Sequence, residues 1–103
     1  MKLWLDDDTL CRTPPEGKFD IWCFDAETAM ALVRYGLVSF ISFDHDLGPG
    51  PSGYDVACFI ERLAAGGDKP PDWEIHSGNM VGANNIQRAM VAAHELYEKA
   101  RTK

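Results

Sequence analysis

Leu37-Val38-Ser39-Phe40-Ile41-Ser42-Phe43-Asp44-His45-Asp46-Leu47-Gly48 is the stretch that decides the fold of this chain. Its first seven residues form a near-continuous run rich in β-branched and aromatic side chains. That is the signature of a strand buried on both faces, as in parallel sheets. The run stops at Asp44-His45-Asp46, and the Gly48-Pro49-Gly50-Pro51 turn follows. Downstream, Ser52 caps a helix whose apolar face is Val56, Phe59, Ile60 and Leu63, and Gly66-Gly67 ends it. Trp73-Glu74-Ile75 reads as a further strand ending in His76-Ser77. From about Gly82, Ile86, Ala89, Met90, Ala93, Leu96, Tyr97 and Ala100 recur at helical spacing. Upstream, Asp25 caps a helix marked by Ala26, Ala29, Met30, Leu32 and Val33, with Gly36 as its stop. Phe19 to Phe24 reads as a strand. Leu3-Trp4-Leu5 is a short first strand ending in Asp6-Asp7-Asp8, and the Pro-rich stretch Thr9 to Lys18 is a loop.

The pattern β-loop-β-α-β-α-β-α predicts an α/β fold with a parallel sheet and covering helices. Right-handed crossovers place the first strand between the second and third, with the fourth beyond the third, giving the order 2-1-3-4. At 103 residues the chain is expected to form one domain, residues 1–103. Its 46% apolar and 25% charged residues are those of an ordinary globular chain. No apolar run reaches the roughly 18 residues of a membrane span, and Met1-Lys2-Leu3 leads into a strand, not a signal peptide. A net charge of −6 disfavours binding to duplex DNA, which needs a basic surface, but leaves room for a small phosphate or an RNA end held by a few cations. Cys11, Cys23 and Cys58 are widely spaced and odd in number, which points to reduced thiols and a cytoplasmic setting.

In an open parallel sheet, ligands bind at the carboxyl ends of the strands beside the point where strand order reverses. That point lies between the first and third strands. Asp6-Asp7-Asp8, Asp44-His45-Asp46 and His76-Ser77 are therefore expected on one edge. Crowded carboxylates repel, and a divalent cation relieves this; hard oxygen ligands suit magnesium or manganese. A bound ion would hold a phosphate oxygen, and two histidines would supply a base and an acid near neutral pH. Strand alternation would set Asp6 and Asp8 on one side with Asp7 on the other, and Asp44 and Asp46 on one side with His45 opposed. Arg12 either folds back onto a phosphate or pairs with the aspartates. Of Asn79, Asn84 and Asn85, one is expected to cap the last helix. Trp4, Trp22 and Trp73 read as packing residues, and His94 as a surface residue.

These features resemble the receiver domain of response regulators: an acidic pair at Asp6-Asp7, D-x-x-L at Asp44-His45-Asp46-Leu47, then Gly53 and Ser77. The chain ends before the last strand and helix of a receiver and lacks the lysine that ends that strand. A closer resemblance is to the cyclic-phosphate processing receiver-like family. It rests on Leu5-Asp6-Asp7, Arg12-Thr13-Pro14-Pro15, Asp44-His45-Asp46-Leu47-Gly48, Gly53-Tyr54-Asp55, His76-Ser77-Gly78-Asn79 and Val81-Gly82-Ala83-Asn84-Asn85. The resemblance implies a small receiver-like, flavodoxin-like sheet recast as a phosphoesterase acting on cyclic phosphates at RNA ends or in cyclic nucleotides. It implies a magnesium or manganese ion on Asp6, Asp7 and Asp44. His45, His76 and Asp46 would form the catalytic group, and Arg12, Ser77, Asn79 and Asn84 would bind substrate. Two other readings remain open at this point: a non-enzymatic receiver-like module that uses Asp44, and a protein that sequesters a cyclic nucleotide without cleaving it.

Overall fold

A computed structural model describes residues 1–102. Its elements are β1 (Lys2–Leu5), β2 (Ile21–Cys23), α1 (Ala26–Arg34), β3 (Phe40–Phe43), α2 (Gly53–Ala65), β4 (Asp72–Ile75) and α3 (Met80–Arg101). The four strands form one parallel sheet in the order β2-β1-β3-β4, as the crossover rule requires. The registers Leu3↔Ile41↔Trp73 and Trp4↔Ser42↔Glu74 run straight across its three right-hand strands. Leu3, Leu5, Ile41 and Phe43 face the helices and form the core with Ala26, Ala29, Val56, Ile60, Ile86 and Met90, all essentially buried. The fold is thus receiver-like α/β, with four parallel strands and three helices.

Each helix starts where a polar side chain can take up a free backbone N–H. Asp25 accepts from the Thr28 amide at 2.7 Å, holding its carboxyl below the usual range. Ser52 and Asp55 form a reciprocal capping box. Asn79 accepts from the Gly82 amide at 2.9 Å and begins α3 two residues before the predicted start near Gly82. Gly36, at φ +75°, ends α1 in the left-handed conformation that a side chain disfavours. The Leu37 amide then bonds back to Leu32 O at 3.1 Å. That closing turn uses Leu37, so β3 begins at Phe40 and is shorter than the apolar run.

All three helices pack on the Leu3/Ile41 face. On the other face the loop between β1 and β2 supplies the cover. Phe19 from that loop meets Trp4 edge-on at 5.2 Å between ring centroids and Phe40 at 6.1 Å. His94 departs from the surface expectation: it is half-buried, with Nε2 3.0 Å from Pro71 O. Cys23 is buried, Cys58 half-buried and Cys11 exposed, and the three are free thiols. Among the described residues, no helix is long and apolar enough to cross a membrane.

Candidate active site

The ladder of backbone hydrogen bonds continues one rung past the last strand residues. Asp6 N donates to Cys23 O at 3.0 Å, Asp44 N to Leu5 O at 2.9 Å and His76 N to Phe43 O at 2.9 Å. Asp6, Asp44 and His76 therefore stand in one row across β1, β3 and β4, as convergence at the carboxyl edge predicts. Asp6 and Asp44 are almost wholly removed from solvent, at 0% and 1% exposure. Asp7, one residue further, is exposed, yet Asp6, Asp7 and Asp44 each offer an oxygen and these oxygens lie within 4.8 Å of one another. Alternation does not separate Asp6 from Asp7, because the pleat has ended before Asp7.

Arg12 closes this cluster from the loop side. Its Nε lies 3.4 Å from Asp6 Oδ2 and 4.0 Å from Asp8 Oδ2, and Nη2 donates to Asp44 Oδ2 at 3.4 Å. Asp8 accepts from the Leu10 and Cys11 amides, which builds the turn that brings Arg12 back. Of the two expectations for Arg12, the structure thus shows the pairing with aspartates. Half-buried His76 points Nε2 at Asp6 Oδ2, 2.9 Å away, and the Asp6 Oδ1 accepts from the Asp8 amide at 2.8 Å.

A second group sits beside the first. His45 Nδ1 and Asp46 Oδ1 are 2.9 Å apart, and the Asn79 side-chain nitrogen is 3.4 Å from both His45 Nδ1 and Asp46 Oδ2. The expected opposition of His45 to Asp46 does not hold, since β3 ends at Phe43 and both residues lie in the following loop. Asp46 is 67% exposed and lies outside the carboxylate cluster. Its hydrogen bond with His45 keeps its carboxyl below the usual range. Ser77 accepts from the Asn79 amide at 3.1 Å, so it lies at the junction of the two groups. Asn84 is exposed on α3, away from the hydrogen bonds that join His45, Asp46 and Asn79. Asn79 is the capping asparagine, and the helix pitch carries Asn84 past the edge.

The donor set fits a hard divalent cation. Asp44 Oδ1 is buried without a hydrogen-bond partner, which is costly for a carboxylate oxygen unless something else is to meet it. Burial first, then the charge of Asp6, push the Asp44 carboxyl up to about 6, against the pull of Arg12, the His45 amide and Ser77. An all-oxygen set of carboxylates is what magnesium or manganese takes. Burial lowers the His76 imidazole below its ordinary value, with Asp6 acting in the opposite sense.

Two glycines in the motifs have a steric reason. A Cβ on Gly53 would meet the Asp44 carbonyl oxygen, and one on Gly82 would run into the His45 ring. Gly82 is thus the seat of the His45 ring. Sequence reasoning also missed three side chains behind the site: Trp4, Ser42 and Glu74, each two residues before Asp6, Asp44 and His76 and so on the same sheet face. The signal was present for Ser42, a polar residue inside an apolar strand, and absent for Glu74, an exposed residue of the edge strand β4.

The model of one protein family, the cyclic-phosphate processing receiver domain, matches residues 1–92. No curated protein and no solved structure matches the chain. The match covers all four strands, α1, α2 and the first half of α3, and with them every residue of the carboxylate cluster and its neighbours. This chain belongs to the cyclic-phosphate processing receiver domain family.

Proposed function

We propose that this protein is a divalent-metal-dependent phosphoesterase that opens or removes a cyclic phosphate, at an RNA terminus or in a cyclic nucleotide. The observation that carries the reading is the meeting of Asp6, Asp7 and Asp44 within 4.8 Å, one of them with a buried, unpartnered oxygen. Family membership supplies the substrate class.

Asp6, Asp7 and Asp44 would hold magnesium or manganese, and the bound ion would draw charge from a phosphate oxygen. His45 is the proton-handling group on the accessible side: it is 21% exposed, and Asp46 and Asn79 fix its ring. Arg12 has one face toward solvent and a planar fork suited to phosphate, so substrate draws it from Asp44 onto a phosphate oxygen. Ser77 and the N-terminus of α3 at Asn79 offer further donors to an anion. His76 is bonded at both ring nitrogens. Its role is to steady Asp6, in place of the direct proton transfer expected from sequence.

The test is incubation with 2′,3′-cyclic and 3′,5′-cyclic phosphates, with and without manganese, followed by product analysis. Metal-dependent ring opening that Asp44→Ala abolishes is the expected result. Intact ligand recovered from a tight complex would instead favour sequestration. Stable phosphate on Asp44 after acetyl phosphate treatment would favour a receiver-like module.

A further inference from the structure

Two successive rungs of one sheet face are chemically linked. The site rung is Asp6, Asp44 and His76; the rung behind it is Trp4, Ser42 and Glu74. Ser42 Oγ donates to Glu74 Oε2 at 2.8 Å, and the same oxygen lies 2.8 Å from His76 Nδ1. The opposite ring nitrogen of His76 reaches Asp6 at 2.9 Å. The His76 ring stacks on Trp4 with 3.8 Å between centroids and 4° between planes. The ring is held at both nitrogens and against one face. Ser42 is wholly buried inside an apolar strand, where a hydroxyl is costly without partners; here it has two. Asp6 in turn is wholly buried and meets His76, Arg12 and the Asp8 amide.

We infer that Ser42 and Glu74 are positioning residues for the cation site: through His76 they fix the orientation in which Asp6 offers its oxygen to a divalent metal. Ser42 sets which ring nitrogen faces Asp6. Glu74 accepts from the Ser42 hydroxyl and so holds that side chain against the ring. Trp4 blocks the ring from tilting out of the plane shared by Ser42 and Asp6. This rests on the metal-dependent reading of the site. Partners one step behind a metal ligand tune affinity by orienting it, typically by about 10- to 100-fold.

The experiment measures Mn²⁺ affinity by electron paramagnetic resonance of the free ion, without any substrate. The variants are Ser42→Ala, Ser42→Thr, Glu74→Ala and Asp44→Ala, with folding checked by backbone amide spectra. A long-range ¹H–¹⁵N spectrum of the His76 imidazole is recorded in parallel. Ser42→Ala is expected to lose about tenfold or more in Mn²⁺ affinity and to change the His76 ring signals. Ser42→Thr, which keeps the hydroxyl, stays close to wild type, and Glu74→Ala falls between. Wild-type affinity in Ser42→Ala, alongside loss of binding in Asp44→Ala, overturns the positioning role and leaves the metal reading standing. A loss in Ser42→Thr equal to that in Ser42→Ala overturns it as well, because packing and not the hydroxyl is then responsible. No Mn²⁺ uptake by the wild-type protein removes the metal reading, and the inference with it.

Discussion

Replacing Asp44 with Asn is expected to stabilise the metal-free protein. In the folded chain the Asp44 carboxyl titrates at about 6, against 3.8 ordinarily, because it is buried beside Asp6. The folded state therefore holds the Asp44 proton more tightly than the unfolded state does. Stability from this group is fully present below pH 3.8 and is lost as pH rises through about 6. At about 1.4 kcal/mol per pH unit, the ionised form costs roughly 3 kcal/mol at pH 7.5. Asn is close in shape to the protonated acid and carries no charge, so it recovers part of that cost. Loss of the Arg12 contact and the burial of an amide reduce the gain, leaving about 1–3 kcal/mol. For a chain of this size, that is a rise in Tm of roughly 4 °C or more, read by thermal or urea denaturation in EDTA at pH 7.5. The gap should largely close at pH 3.5, where wild-type Asp44 is protonated in the folded state and mostly protonated in the unfolded one. It should also shrink or reverse on adding Mn²⁺, because wild type gains about 2.7 kcal/mol at a hundred times Kd and the variant does not. A variant no more stable than wild type in EDTA at pH 7.5, or a gap that persists at pH 3.5, would refute the charge-crowding argument.

Arg12 and a divalent ion compete for Asp6 and Asp44, so Arg12→Ala should raise Mn²⁺ affinity several-fold in calorimetry while lowering turnover; unchanged affinity contradicts the competition. Gly82→Ala would add helix propensity of about 1 kcal/mol, yet its Cβ drives into the His45 ring, so net destabilisation of roughly 1–3 kcal/mol is expected in urea melts. The same variant should lose turnover while keeping Mn²⁺ binding, because it moves His45 and not the carboxylates. Ser52→Ala removes the capping box of α2 and should cost about 1 kcal/mol without altering Mn²⁺ affinity. Acetyl phosphate should leave no stable label on Asp44, which is 1% exposed and held by Arg12.

Strand order, the three helices and the meeting of Asp6, Asp44 and His76 at one edge were legible in the chain. They follow from local rules: apolar periodicity, caps at Asp25 and Ser52, a stop at Gly36, and the handedness of crossovers. Orientation beyond the strand ends was not legible. Asp7 turns toward Asp6, and His45 toward Asp46, because the pleat that enforces alternation stops at Leu5 and Phe43. The start of β3 at Phe40 also required tertiary structure, since the turn closing α1 claims Leu37. The pairing of Arg12 does not follow from spacing, because it depends on where the loop after β1 leaves the sheet. The row of Trp4, Ser42 and Glu74 shows the division most plainly. Their residue types and two-residue offsets are written in the chain, but only parallel register brings a hydroxyl, an imidazole and a carboxylate within hydrogen-bonding reach. Local interactions act between neighbours in sequence and can be read from it. The site is made of contacts between residues 70 positions apart, such as His76 and Asp6, and only packing sets their geometry.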